Sequence, residues 1–398
     1  MNKVKLLLSL SLILGLVACQ SNVNQEDTPP EIVNQLDRTQ ADYTIEEIAL
    51  PDEFTDELLT ELTTSRLGKF VGLFHEEGYQ FKLTVNDPKK ARLGPADTIY
   101  DYNLLTNKLT LINPPIDVDG YRVKYHVVDE IGGEYDLIDY FNNGQHYKRV
   151  FYNGELVEGI ENTIDNAFYS RGFQKLNGGI YLFAETEGKT RGKTFTSMYE
   201  LNQGKAENLY QYDNDYFSID DGLNKENFIS IPSLQRSSKN RMGYAIMRDG
   251  TQYIHIFDGQ EVIEINPLSN EYINSVIPLE DYVIYSQQIP IDEDEVIFKY
   301  LFYQYDIKNK VIKQIDNLSK RVGMSDHIQG NEFYLPFYED DEASIHVCKV
   351  EEEVTCRRIE EMPKEFSLGC ITVIDEKTDF IYFTDRDGMP HFYLIHWE

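Results

Sequence analysis

The stretch LYQYDNDYFSIDDG, residues 209 to 222, gathers Asp213, Asp215, Asp220 and Asp221 among the rings of Tyr212, Tyr216 and Phe217. Aspartates at alternate positions of a turn supply the oxygen ligands that a hard cation such as calcium requires. The spacing departs from the EF-hand loop, because Phe217 stands at the fifth position and no suitably placed Gly follows. Two readings stand side by side, a calcium site of another kind and a plain solvated turn. Tyr212 and Tyr216 offer a stacking platform for a sugar or peptide, although most of the 28 tyrosines must pack in a core. Arg248 and Arg386 each open an Arg-Asp-Gly turn and could face an anionic ligand, the alternative being a local pair with the neighbouring Asp. Asp-Val-Asp-Gly at 117–120 and Glu-Asp-Asp-Glu at 339–342 are weaker acidic groupings of the same kind.

Enzymatic motifs are missing. The sequence has no Gly-x-Ser-x-Gly elbow, no His-Glu-x-x-His pair and no glycine-rich phosphate loop. Its eight histidines are dispersed, so no zinc site is expected. Sialidase-type propellers carry Ser-x-Asp-x-Gly-x-Thr-Trp boxes, which a chain with a single Trp, Trp397, does not contain. A hydrolase or lyase acting on carbohydrate needs only two carboxylates brought together by the fold, and 68 acidic residues hide such a pair.

The elements that position these groups are strands. After residue 66 helical periodicity is almost absent, and alternating runs rich in Tyr, Phe, Ile and Val recur between Gly, Asn and Asp. Hairpins such as TIYDYNLLTNKLTLI, YIHIFDGQEVIEI and SIHVCKVEEEVTCRRI align with one another. Equating Asn103, Asn153, Asn202, Asp258, Asp306, Lys349 and His396 gives intervals of 50, 49, 56, 48, 43 and 47 residues. A period near ~49 suits a four-stranded propeller blade. Two further strands precede each hairpin, which makes seven units. The seventh lacks its outer strand because the chain stops at HFYLIHWE.

That open edge needs a cover. TIEEIALP, residues 44 to 51, alternates, belongs to no blade and is expected to pair with HFYLIHW. The expected fold is an all-β, seven-bladed β-propeller closed by an N-terminal strand pairing with the C-terminal hairpin, a sandwich or two β-domains being the rival. Residues 51 to 66 would form a short helix or connector capped at Asp52 or Thr55. IYFTDRDGMPHFYLI, and less fully RDGTQYIHIFDG, resembles the repeat of TolB-like, WD40-like propellers. The resemblance implies a propeller and no particular activity. Loops of one face, including VNDPKKARLGPAD, AETEGKTRGK, IPIDEDE and YEDDEA, are the expected ligand-bearing ones.

The N-terminus bears on location. MNKVK precedes an apolar run too short to span a bilayer comfortably. Leu16, Val17, Ala18 and Cys19 then resemble the lipobox of bacterial lipoproteins, which implies cleavage after residue 18 and a lipid on Cys19. The domain reading is a signal peptide over 1–18, a disordered tether over 19–42 and the propeller over 43–398. Export permits a disulfide, and Cys348 and Cys356 flank a short turn that would set them opposite one another. Losing Lys3 and Lys5 leaves 35 Lys and Arg against 68 Asp and Glu, a formal charge of −33 that repels nucleic acid. The expected protein is membrane-anchored and extracytoplasmic, with a glycan, a peptide or an envelope protein as ligand. A carbohydrate-active hydrolase or lyase is the alternative, and calcium the candidate cofactor.

Overall fold

The computed structural model describes residues 36–50, 71–86, 97–112, 121–142, 145–160, 169–187, 193–215, 228–230, 240–248, 251–292, 297–316, 318, 321–322, 326–327, 329–339, 342–360, 362, 367–384 and 390–398. The connector expected over 51–66 lies outside them.

A strand at the N-terminus, β1 (Tyr43–Ile48), precedes the repeats. Blade 1 is β2 (Val71–Glu77), β3 (Gln80–Asn86), β4 (Asp97–Asn103) and β5 (Lys108–Ile112); blade 2 is β6 (Tyr121–Val128), β7 (Glu134–Asn142), β8 (Gln145–Tyr152) and β9 (Glu155–Leu156). Blade 3 is β10 (Tyr169–Leu176), β11 (Gly179–Glu187), β12 (Lys193–Asn202) and β13 (Lys205–Asp215); blade 4 is β14 (Phe228–Ser230), β15 (Met242–Arg248), β16 (Thr251–Phe257) and β17 (Val262–Ile265). Blade 5 is β18 (Tyr272–Pro278), β19 (Tyr282–Asp292), β20 (Ile297–Asp306) and β21 (Val311–Ile315). Blade 6 has β22 (Arg321–Val322) and β23 (Asp326–His327), both paired with β24 (Glu332–Glu339), then β25 (Glu342–Val350) and β26 (Val354–Arg358). Blade 7 is β27 (Ser367–Val373), β28 (Thr378–Thr384), β29 (Pro390–Trp397) and, as its outer strand, β1. The fold is the seven-bladed propeller expected from the repeat.

Tight turns set the registers. Asn153-Gly154 and Asn177-Gly178 both sit at positive φ, the backbone that two-residue hairpin turns demand and that Asn and Gly tolerate. The aromatic alternation has its explanation in the seams, since one face of each blade packs on the next. Tyr135 and Leu137 of blade 2 share a core with Leu182 and Leu201 of blade 3. Phe81 of blade 1 meets Phe380 of blade 7 with ring centroids 4.7 Å apart. Large rings fill the widening wedge between neighbouring sheets, where aliphatic side chains of the same number would leave voids.

Closure follows the expected pairing. Tyr43 lies opposite Trp397 and Ile48 opposite Phe392, antiparallel throughout. Glu46 reaches His396 and Glu47 reaches His391, each at 3.2 Å, so adjacent residues hold opposite faces of the sheet. The compact unit, however, begins at Arg38. Residues 38 to 42, read from the sequence as the end of the tether, therefore belong to the propeller. Arg38 is fully buried. It donates from Nε to Asp379 Oδ2 at 2.8 Å and from Nη2 to Asp379 Oδ1 at 3.2 Å, and Nη2 also reaches the Glu376 carbonyl at 3.0 Å. Its backbone N–H donates to Glu332 of blade 6. Tyr334 and Trp397 give Asp379 two more hydrogen bonds, at 2.5 and 2.6 Å. A polar segment thus hid one cation whose partners come from two distant places in the chain.

Other boundaries also differ from the sequence reading. The inner strand of blade 6 is two short pieces starting at Arg321, upstream of the GMSDHIQG run expected to form it. In blade 2 the outer strand leaves its own sheet after Leu156, and Glu158 bridges to Lys205 of blade 3.

Candidate functional site

Strand direction divides the molecule into two faces. If the inner strand of each blade descends, the turns from first to second and from third to fourth strands lie on the lower face. The loops from second to third strands and the blade-to-blade connections lie on the upper face. The lower turns are cross-linked between neighbours. Asn177 donates to the Asp258 carbonyl across the seam of blades 3 and 4, and Arg241 to the Leu279 carbonyl across that of blades 4 and 5. Asp281 and Asn331 exchange two hydrogen bonds between blades 5 and 6, and Tyr79 donates to Asp375 between blades 1 and 7. These bonds satisfy turn polar groups within the ring, which makes the lower face a structural one.

In the seam between blades 3 and 4 stands a polar cluster built from four strands, with Tyr244, His255 and Glu264 in register a few residues from the lower turns and Arg248 at the upper end of β15. Tyr212 comes from β13, Tyr244 and Arg248 from β15, His255 from β16 and Glu264 from β17. The Tyr212 hydroxyl lies 2.9 Å from that of Tyr244 and 3.4 Å from His255 Nδ1. Glu264 Oε2 lies 2.9 Å from His255 Nε2 and accepts from Arg248 Nη2 at 2.9 Å. Arg248 also lies over the Tyr253 ring, 4.9 Å from its centroid.

The electrostatics give this chain a direction. Burial pushes both tyrosine hydroxyls up, Tyr244 well above the ordinary value, so both are protonated. Burial also lowers His255, against the pull of Glu264, and keeps the imidazole neutral. For Glu264 burial acts upward, but the bonds to His255 and Arg248 outweigh it and hold the carboxyl below its usual range. Neutral His255 with its proton on Nε2 donates to Glu264, and its bare Nδ1 accepts from Tyr212, which accepts from Tyr244. The buried end is a hydrogen-bonded lock, and its outer end is a half-exposed guanidinium-carboxylate pair.

Tyr212 and Arg248, two of the residues singled out by sequence, thus belong to one cluster. Asp213 and Asp215 follow on β13, paired in register with Phe195 and Lys193. Tyr216, Asp220, Asp221 and Arg386 lie outside the described residues, as do parts of the four loops expected to bear ligand. Sequence reasoning missed His255, Glu264 and Tyr244. The signal for the first two was present, because the Asp258-Gly259 turn in YIHIFDGQEVIEI puts residue 255 directly opposite 264. Tyr244 joins from another hairpin and carried none. Cys348 and Cys356 lie opposite one another on β25 and β26 and are joined by a disulfide.

No family model matches the chain, and no curated protein matches it in sequence. Similarity appears at the level of structure. A prolyl endopeptidase matches with TM-score 0.54 and 10% identity over 85% of this chain; the match covers 48% of the endopeptidase, so the chain spans about half of that enzyme. The polysaccharide lyase Uly1 matches with TM-score 0.52 and 10% identity, covering 84% of this chain and 91% of the lyase. The propeller domain of the Trilobed protease from Pyrococcus furiosus, described as having an open velcro topology, matches with TM-score 0.50 and 12% identity over 83% of this chain and 93% of that domain. These likenesses establish the class, a seven-bladed β-propeller of the architecture used by peptidase propeller domains and by polysaccharide lyases. Identities of this size carry the fold alone. In the present chain the ring is closed by β1.

Proposed function

We propose that the chain is an extracytoplasmic lipoprotein, held to a membrane through Cys19, whose propeller binds a glycan, a peptide or another envelope protein on its upper face. One observation carries the reading: the lower face is occupied by bonds between blades, and Arg38, where the propeller begins, is fixed at that same face. β1 runs from there towards the upper face. The disulfide accords with an oxidising compartment. Arg248, at the upper end of β15, and the Tyr253 ring beneath it offer a charge and an apolar plane, a combination suited to sugar rings or peptide side chains.

The alternative, a hydrolase or lyase with two channel-mouth carboxylates, gains nothing from the described residues. Asp379 is the carboxylate there that burial lifts, and it is spent on Arg38, Tyr334 and Trp397. A Cys19→Ser mature chain immobilised on a sensor should bind members of an oligosaccharide or peptide panel, and Arg248→Ala should weaken that binding by roughly tenfold, the loss of one charge-assisted contact. A lower-face substitution, Asn331→Ala, should not. Failure of every ligand class, or equal loss from the lower-face change, would defeat the proposal. Calcium at Asp213, Asp215, Asp220 and Asp221 belongs to the same reading and requires stoichiometric uptake that Asp215→Asn abolishes.

A further inference from the structure

His126 of β6 and Glu134 and Asp136 of β7 occupy adjacent strands of blade 2. His126 lies directly opposite Asp136, and Glu134 precedes Asp136 by two residues. With a side-chain period of two, all three project from one face of the sheet. Val127, Tyr135 and Leu137, in between, pack into the core shared with blade 3, so the trio faces the other way. One donor atom from each residue, imidazole nitrogen or carboxylate oxygen, lies within 4.8 Å of the other two. Bonds of about 2.0–2.2 Å to one ion require donors about 3–4 Å apart. The backbone register, rather than a flexible loop, sets that convergence.

We propose that His126, Glu134 and Asp136 form a binding site for a single divalent first-row transition-metal ion. The donor set selects this class. One imidazole and two carboxylates suit zinc-like ions, whereas calcium takes six to eight oxygens and has no use for a nitrogen. Two carboxylates balance the charge of a dication. The side chains of His126 and Asp136 are 7% and 10% exposed, while Glu134 is at the surface, so the ion would enter past Glu134 and be held by the two inner ligands. Binding would replace the 2.7 Å contact between His126 Nδ1 and Asp136 Oδ1 with two metal bonds. Three protein donors leave at least one position for water or a ligand group. Nothing in this depends on the membrane anchor or on the upper-face ligand.

The test uses the full mature chain, stripped with EDTA and titrated calorimetrically with Zn2+, Co2+ and Ca2+. One Zn2+ or Co2+ per chain is expected, with a Co2+ visible absorption band and no comparable Ca2+ binding. Glu134→Ala should weaken binding at least tenfold, and His126→Gln should remove both the binding and the band. Glu155→Ala, an exposed acidic residue on the same blade, should change neither. Glu134 is exposed, so its variant keeps the test decisive if His126→Gln misfolds. Absence of Zn2+ and Co2+ binding, equal affinity for Ca2+, or affinity indifferent to Glu134→Ala would overturn the assignment.

Discussion

At the scale of single residues, the two buried polar groupings make opposite demands on their charges. Arg38 and Asp379 are both ionic and both out of water, and neither can lose its partner cheaply. Arg38→Ala would leave Asp379 as an uncompensated buried carboxylate and should cost about 3–5 kcal/mol in denaturant unfolding. His255 is instead held neutral. Its lowered pKa means that, below the ordinary value of 6.5, the unfolded chain takes up a proton that the folded chain refuses. Stability is therefore fully present above that value and falls as the pH drops through it towards the folded pKa. His255→Gln should flatten this slope, as read from urea midpoints between about pH 7 and pH 5.

At the scale of elements, β1 decides whether blade 7 is a blade. Without it β29 is an exposed edge, and Trp397 and Tyr43 lose a ring contact of 5.2 Å. A chain beginning at Arg38 should melt as the full mature chain does. One beginning at Tyr43 keeps the strand but lacks Arg38, and should show lowered stability and a tendency to associate through the loosened edge. Comparison of the two by thermal melting and light scattering separates the clasp from the strand. On β25 and β26 the disulfide closes a short loop; in the chain-entropy description it contributes about 2–3 kcal/mol, lost on reduction or in Cys356→Ser. The double variant Cys348→Ser, Cys356→Ser should behave like the reduced chain.

At the scale of the whole molecule, the ring has no terminal edge and two unlike faces. The chain enters at the face where turns from different blades are bonded together. The proposed lipid anchor predicts that Cys19→Ser moves the protein from the membrane fraction to the soluble fraction without altering its melting temperature, since residues 1–37 lie outside the propeller unit. The formal charge of −31 acts at this scale as well. It keeps such molecules apart and draws cations to the surface, with an influence that added salt screens over about 10 Å.

The repeat of aromatic hairpins, the number of blades and the pairing of TIEEIALP with HFYLIHW were legible in the sequence, because strand period, turn chemistry and an unfinished last unit are local or serial properties of a chain. The hairpin partners His255 and Glu264 could have been counted out from the Asp258-Gly259 turn in the same way. Arg38 could not: its partners lie more than 290 positions away, and nothing in LDRTQAD distinguishes it from a solvated arginine. Tyr212, Tyr244 and Arg248 likewise acquire a common role only where two blades meet. Local sequence specifies each sheet, whereas a buried charge or a polar cluster is defined by the desolvation and the partners that arise only when sheets pack, and those the tertiary structure alone decides.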